Sequence, residues 1–125
     1  MVNFENLKLV ALGNPLLDMQ VRDGQDVLQK YGLKPNDAVL ASPEQLSIYE
    51  HLVENYQVTY VAGGAAQNTA RCAQYALPEG STAYLGCVGN DDLAQQLRAA
   101  NEREGLQSVY QVVNDTPTGS CAVVI

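Results

Sequence analysis

Short apolar runs alternate with amphipathic stretches along the chain. Apolar or β-branched runs of roughly four to eight residues that end at Gly, Asn or Pro are typical of strands, and apolar positions spaced three and four residues apart are typical of helices. This pattern predicts strands at 7–12, 16–21, 38–41, 58–62, 82–88, 106–113 and 119–125, and helices at 25–31, 42–55, 65–76 and 92–104. Strands that alternate with helices favour an α/β fold with a mostly parallel sheet and helices on its faces.

Residues at the ends of the predicted helices support these boundaries. Ser42 can act as an N-cap with Pro43 in the first turn, and Gly32 and Gly105 follow helices where a C-terminal cap is expected. The helix that starts at Ser42 is expected to bury one face, made of Leu46, Tyr49, Leu52 and Val53. No internal repeat and no Pro- or Gly-rich linker divides the sequence.

Composition and charge narrow the class of protein. The chain has 125 residues, 46% of them apolar, and a net charge of −7, which argues against disorder and fits one domain. The acidic balance argues against nucleic acid or an anionic membrane as a partner, and no apolar run approaches the roughly 18 residues of a membrane span. Three widely spaced cysteines and one histidine, His51, which we place on a helix surface, support neither a zinc site nor a redox motif.

The first candidate site follows the first predicted strand, in the segment GNPLLD from Gly13 to Asp18. In open α/β sheets, ligands bind beyond the carboxyl ends of the strands. The Asp18 carboxylate can accept hydrogen bonds from two neighbouring sugar hydroxyls, and Asn14 can add one donor and one acceptor. The alternative is an ordinary Gly-Asn-Pro turn with Asp18 facing solvent.

The second candidate site is the turn at Gly63 and Gly64, which leads from a strand into a helix. The glycines allow a tight turn and a close approach of a ligand, and the helix N-terminus offers backbone N–H groups. Asn68 lies about one turn into the helix and can reach the same ligand. The segment has neither the spacing of a dinucleotide fingerprint nor the ending of a P-loop, and a plain strand–helix turn is the alternative.

Two further polar segments are more typical of structure than of chemistry. Asp91 and Asp92 could bind a metal or act in acid–base chemistry, but they open a predicted helix, where we expect capping. The segment from Thr116 to Cys121 is expected to be a turn that enters a strand. Cys121 has no nearby histidine that could activate it as a nucleophile.

Five segments, taken in order, carry a resemblance to a known family: GNPLLD, YGLKPNDAVL, AGGAAQNTARCAQY, YLGCVGNDD and TPTGSCAVVI. Together they resemble the first third of the fungal-type adenosine kinases, which belong to the ribokinase-like, PfkB-type carbohydrate kinase family. The likeness runs through nearly the whole chain. It implies that residues 1–125 form the N-terminal part of a three-layer α/β sandwich, truncated here, with a small β-sheet lid made of strands at about 16–23, 38–41 and 119–125.

The resemblance also implies a function, the transfer of the γ-phosphoryl group of ATP to the 5′-hydroxyl of adenosine, with Mg²⁺, to give AMP for purine salvage. Asp18 would accept hydrogen bonds from the ribose 2′- and 3′-hydroxyls, and Gly64 would present its backbone N–H at a turn shaped by Gly63. The remaining contacts implied are Asn14 and Asn68 with the ribose, and Leu16, Leu40 and Val124 with the base. Ala38 and Ala65 stand where mammalian relatives carry polar side chains, so contacts from such side chains are not expected here.

The resemblance places the chemical half of the site outside this chain. The family's catalytic aspartate, its glycine-rich anion hole and its ATP and magnesium residues lie far downstream, and no GAGD-like string occurs here. We therefore expect no catalytic residue and no metal ligand in residues 1–125, and no activity from this chain alone. The apolar strand at 119–125 also indicates one piece of a larger protein, which we expect to be monomeric and located in the cytoplasm and the nucleus.

Two alternatives stay open. One is another sugar or nucleoside kinase of the same family, with a different acceptor. The other is a non-catalytic fragment that binds a nucleoside or a partner chain.

Overall fold

The computed structural model describes residues 4–125. The strands are β1 (Leu9–Leu12), β2 (Leu16–Val21), β3 (Thr59–Gly63), β4 (Thr82–Gly89), β5 (Gln107–Val113) and β6 (Ser120–Val124). The helices are α1 (Gln25–Lys30), α2 (Ile48–Asn55), α3 (Ala65–Ala76) and α4 (Asp92–Arg103), and a short 3₁₀ helix covers Pro43–Gln45. The predicted order is confirmed except at 38–41 and within 42–55.

The larger part of the core lies on a parallel sheet with the order β1-β4-β5. Its central strand, β4, is paired on both sides and is almost continuously buried, as expected for the middle of a parallel sheet. Helix α3 covers one face, where Ala70, Tyr84 and Leu106 form a buried cluster.

The opposite face of the parallel sheet is open. Val10 and Leu12 of β1 are 59% and 75% exposed. Parallel sheets are normally covered on both faces, because their strands are apolar on both sides. The exposed side chains therefore indicate a face that another layer of polypeptide can cover.

A second, smaller sheet has the order β3-β2-β6. Strand β2 runs antiparallel to β3 and parallel to β6. Leu17, Met19 and Val21 alternate along β2 on its buried face, whereas Asp18 points to the opposite, half-exposed face. The register places eight residues on that second surface, which we call the Asp18 face: Leu16, Asp18, Gln20, Thr59, Val61, Gly63, Cys121 and Val123.

The small sheet differs from the expected lid in one strand. Residues 38–41 form no strand, and Leu40 is 98% exposed. Both edges of β2 are already taken, by β3 and β6, so a strand at 38–41 has no edge of β2 to pair with. The third strand of this sheet is instead β3, which the resemblance did not include in the lid.

The long helix predicted at 42–55 is also interrupted. Its start is confirmed, because the Ser42 N–H donates to Oε1 of Gln45 at 3.0 Å, but only one 3₁₀ turn follows before α2 begins at Ile48. This tighter turn changes the rotational phase of the helix. Ile48 and Leu52 are therefore the residues buried on α2, while Leu46 and Val53 are 54% and 53% exposed.

Two apolar clusters fix the small sheet against the helices. Leu17 and Ala62 pack against α4 through Leu97, and Val21 packs against α1 and α2 through Val27 and Leu52. The buried face of the small sheet is thus held by three helices, and its Asp18 face is left partly accessible. Within residues 4–125, no helix has the length and apolar character needed to cross a bilayer.

Candidate binding site

The two predicted site segments meet where β2 pairs with β3. Leu16 lies opposite Gly63, so the turn after β1 lies against the turn after β3, although Asn14 and Gly64 are 50 residues apart. Gly64 has a φ angle of +95°, which residues with a side chain rarely adopt. A Cβ on Gly64 would also lie 2.6 Å from the Asn14 carbonyl oxygen. Both the backbone angle and this close contact therefore require glycine.

The Asp18 carboxylate lies directly over Gly63. A Cβ on Gly63 would lie 2.7 Å from both carboxylate oxygens, so the missing side chain makes room for the carboxylate. Burial raises the pKa of Asp18, an effect that the positive charge of Arg71 opposes. A half-buried carboxylate of this kind regains stabilisation when a ligand donates hydrogen bonds to it.

Helix α3 carries a second set of polar groups behind the turn. Gln67 is fully buried and donates from Nε2 to the Gly63 carbonyl oxygen at 2.8 Å. Its Oε1 accepts from Nδ2 of Asn101 at 3.1 Å and from the hydroxyl of Tyr110. Burial raises the pKa of Tyr110 to about 12, so its hydroxyl stays a donor at neutral pH. This buried network holds the carbonyl of Gly63, and with it the turn beneath Asp18.

Arg71 connects the turn to Asn68. Its guanidinium binds both carboxylate oxygens of Glu104, at 2.6 and 2.7 Å, and its Nη1 donates to the Ala62 carbonyl at 2.5 Å. The same Nη1 donates to Oδ1 of Asn68 at 3.0 Å. The sequence pattern did not single out Arg71 or Gln67; the only local signal was the three-residue spacing of Asn68 and Arg71, which places them on one face of a helix.

The structure brings some of the predicted site residues together and separates others. Asp18, Gly63 and Leu16 share the Asp18 face, and Asn14 contacts Gly64. Leu16 is 36% exposed and packs over Gly119, where a Cβ would lie 2.9 Å from its Cδ2. Leu40 lies on an exposed loop and belongs to no strand of the small sheet.

Val124 does not lie on the Asp18 face. It is in register with Val21 and packs beside it on the opposite side of the sheet, in the cluster held by α1 and α2. Because side chains alternate along a strand, its neighbour Val123 takes the position on the Asp18 face. The apolar side chains that flank Asp18 there are Leu16, Val61 and Val123.

Asp91 caps α4, as the sequence predicted, and it also ties two distant segments together. Its Oδ1 accepts from the Ala94 N–H at 2.9 Å and from the Thr118 hydroxyl at 2.6 Å, and its Oδ2 accepts from the Thr118 N–H at 2.8 Å. Thr118 in turn accepts from the Gly89 N–H at 2.9 Å. Burial raises the pKa of Asp91, but the bonds from Thr118 and Ala94 outweigh it and lower the pKa overall. The cap therefore joins the end of β4 to the entry of β6.

We expect Asp91→Asn to lower the free energy of unfolding by about 1–3 kcal/mol at neutral pH, because its amide keeps the oxygen that caps the helix but turns an N–H donor toward the Thr118 N–H, which is left unpaired. The pKa of Asp91 is lowered on folding, so its contribution is present above the ordinary value of 3.8 and is lost as the pH falls through the folded value. Urea melts at pH 7 and pH 3 measure this. Asp92→Asn is the matched control, because Asp92 is exposed in the first turn of the same helix; equal losses in both variants would contradict the assignment.

The described residues offer little metal or thiol chemistry. Among residues 4–125, no three His, Cys, Asp or Glu side chains gather closely enough to hold a metal ion. Cys72 and Cys87 are exposed free thiols, and Cys121 is a half-buried one. His51 lies on α2 as predicted, but it is half-buried and accepts at Nδ1 from the Lys30 ammonium at 3.0 Å.

Comparison with known proteins defines the family to which this fold belongs. The model of the pfkB family of carbohydrate kinases matches residues 26–125. Because this match spans more than half of the chain, the chain belongs to the pfkB carbohydrate kinase family. The ribokinase-like α/β fold expected from the sequence is confirmed.

Adenosine kinases are among the relatives within that family. The adenosine kinase of Schizophyllum commune is 60% identical over 118 residues, which are 94% of this chain and 34% of the relative. The structure of Anopheles gambiae adenosine kinase in complex with P1,P4-di(adenosine-5) tetraphosphate superposes with a TM-score of 0.81 at 42% identity, over 94% of this chain and 35% of that one. The Trypanosoma brucei brucei adenosine kinase (apo) gives 0.88 at 33% identity, over 96% and 37%. The chain thus matches the N-terminal part of these relatives and spans about a third of their length.

Proposed function

We propose that this chain supplies the nucleoside-recognition part of an ATP-dependent adenosine kinase. The observation that carries the proposal is the Asp18 carboxylate packed on Gly63, beside a Gly64 backbone conformation that residues with a side chain rarely adopt. The complete kinase transfers the γ-phosphoryl group of ATP to the 5′-hydroxyl of adenosine and yields AMP. The identity to adenosine kinases supports this reading, since the segments that build the site lie within the matched region.

The ribose is the part of adenosine that this geometry fits. Ionised Asp18 accepts hydrogen bonds from the neighbouring 2′- and 3′-hydroxyls, and each bond to a charged acceptor contributes about 1.5–3 kcal/mol. Gly64 at the start of α3 presents its N–H to a hydroxyl oxygen, and Asn14 and Asn68 lie beside the turn. These contacts fix the sugar and thereby orient its 5′-hydroxyl toward the rest of the site.

An apolar base is favoured by the surroundings of Asp18. Leu16, Val61 and Val123 flank the carboxylate on the same sheet face. The flat purine ring of a nucleoside can bury apolar surface against such side chains, whereas a plain sugar has no ring of this kind to bury. This distribution favours adenosine over a plain sugar as the acceptor.

The ATP and magnesium sites belong, in this proposal, to the part of the kinase that the chain does not span. Phosphoryl transfer depends on electrostatic stabilisation of the γ-phosphoryl group, commonly by Mg²⁺ and cationic or backbone donors. The open face with Val10 and Leu12 fits this division, because it offers apolar surface to a further layer of the same kinase.

A chimera tests the proposed function. It joins residues 1–125 to the C-terminal two-thirds of the Schizophyllum commune relative, and AMP formation is followed with adenosine, inosine and ribose as acceptors. We expect turnover of adenosine by the chimera and none by the 125-residue chain alone. Turnover by the chain alone would contradict the division of the site, and a chimera that prefers inosine or ribose would support another kinase of the same family.

Gly63→Ala provides a test at a single atom. The three atoms nearest to the added Cβ all belong to the Asp18 carboxylate, so we expect the carboxylate to rotate away while the backbone stays in place. We expect the chain to lose at least about tenfold in adenosine affinity, corresponding to about 1.4 kcal/mol, with a melting temperature close to that of wild type. Calorimetric titration and a thermal melt measure the two quantities. Wild-type affinity in the folded variant would exclude Asp18 from the site.

A further inference from the structure

Arg71 forms more contacts than a surface ion pair requires. Four of its N–H groups are engaged: two on Glu104, one on the Ala62 carbonyl and one on the Asn68 side chain. Its side chain is only 22% exposed. An exposed ion pair contributes little to stability. The mostly buried Arg71 instead binds groups from three different segments, which is typical of a residue that holds its neighbours in position.

The partner of Arg71 supports that view. Glu104 is the C-terminal cap residue of α4, where a negative charge is unfavourable next to the carbonyl end of a helix. The bidentate pair compensates for this placement and locks the planar guanidinium in one orientation. Nη1 is thereby pointed at the end of β3 and at the first turn of α3.

The contact with Asn68 fixes which end of its amide faces outward. A guanidinium has donors and no acceptor, so only Oδ1 of Asn68 can face Nη1, at 3.0 Å. The Nδ2 group, with its two N–H donors, is therefore turned away from Arg71. Asn68 is exposed, so these donors are available to a ligand.

We propose that Arg71 is a positioning residue that holds Asn68 as a hydrogen-bond donor beside the acceptor Asp18, so that the site selects a ribonucleoside whose two neighbouring hydroxyls meet one acceptor and one donor. This inference rests on the proposed function, because it concerns the same sugar site. Arg71 acts through Asn68 and needs no contact with the ligand. Without Arg71, the Asn68 amide could turn either its oxygen or its N–H groups outward. Arg71 fixes the orientation in which the N–H groups can donate to one hydroxyl of the ligand.

The binding test compares adenosine with 2′-deoxyadenosine and 3′-deoxyadenosine on the 125-residue chain. The affinity penalty of each deoxy analogue is the factor by which it binds more weakly than adenosine. For one of the two analogues, we expect this penalty to shrink about tenfold in Arg71→Met, because the freed Asn68 amide no longer favours the hydroxyl that this analogue lacks. Arg71→Lys, which keeps the charge and one donor group, should restore part of the penalty. Arg103→Met removes a positive charge from the exposed end of α4 and should leave the penalty unchanged.

A double-mutant cycle shows whether Arg71 acts through Asn68. In an Asn68→Ala background, Arg71→Met should no longer change the penalty. If Arg71→Met weakens all three nucleosides by the same factor, or still changes the penalty without Asn68, the positioning role is overturned.

A measurement without ligand separates this inference from the proposed function. The ¹⁵N order parameter of the Asn68 side-chain amide is expected to be near the rigid value of about 0.85 in wild type and below about 0.6 in Arg71→Met. If the wild-type chain binds no nucleoside, the proposed function is wrong. The order parameter of the Asn68 amide still shows in that case whether Arg71 fixes the Asn68 side chain. An order parameter that is unchanged in folded Arg71→Met would overturn the inference even if adenosine binds.

Discussion

A Gly64→Ala chain is expected to lose both adenosine binding and a large part of its stability. The added Cβ would lie 2.6 Å from the Asn14 carbonyl oxygen, a backbone atom that cannot move without shifting the turn after β1. The φ angle of +95° adds strain for any residue with a side chain. We expect the free energy of unfolding to fall by about 3 kcal/mol or more, because a steric clash is added to the usual cost of about 1–2 kcal/mol for a positive φ.

Gly32→Ala is the matched control for this substitution. Gly32 also has a positive φ, of +64°, but a Cβ there meets no atom within 4 Å. Its cost should be the conformational part alone, about 1–2 kcal/mol, with adenosine affinity unchanged. Urea melts and calorimetric titrations of both variants measure the difference. Equal losses in the two variants would contradict the close contact of Gly64 with Asn14.

Asp18→Ala is expected to abolish most of the adenosine affinity without destabilising the ligand-free chain. Two bonds to a charged acceptor are lost, and the affinity should fall about 100-fold or more. Stability behaves differently. Burial raises the pKa of Asp18 above its unfolded value, so the group favours folding when protonated and loses that contribution as the pH rises through the folded pKa. At neutral pH, its ionised form therefore opposes folding.

Asp115→Ala is the control for the loss of one negative charge, because Asp115 is exposed in the turn before β6. It should change neither affinity nor stability by a measurable amount. Titration calorimetry at pH 7 and thermal melts of both variants decide the case. A loss of stability in Asp18→Ala with unchanged affinity would identify Asp18 as a structural residue, which is the turn interpretation of GNPLLD.

Local patterns predicted most of the elements, because they depend on neighbouring residues. The strand and glycine pair before α3, the cap at Asp91 and the glycine after α1 all follow from short-range chemistry. The apolar residues at 38–41 were misleading for the same reason. Their composition is typical of a strand, but a strand also needs a partner strand beside it, and which segments lie side by side depends on the whole topology.

The two motifs of the candidate site could be predicted from the sequence, but the residues that hold these motifs in place could not. Asp18 and Gly64 were identified from strand ends and glycines, which are local signals. Arg71 and Gln67 are bound to Glu104 and Tyr110, more than 30 residues away in sequence, and no helical pattern encodes those partners. Val124 shows a related limit: a shift of one residue along a strand moves a side chain to the other face, so sequence alone could not choose between it and Val123.

We propose that residues 1–125 form a ribose site at Asp18 and Gly64. An adenosine titration of the ¹⁵N-labelled chain, followed at the backbone amides of Gly64 and Asn68, tests it most directly, with 2′,3′-dideoxyadenosine as the matched ligand that lacks both hydroxyls. We expect saturable shifts of both amides with adenosine and at least about tenfold weaker binding of the dideoxy analogue. Equal binding of the two nucleosides, or saturation with adenosine that leaves Gly64 unmoved, would contradict it.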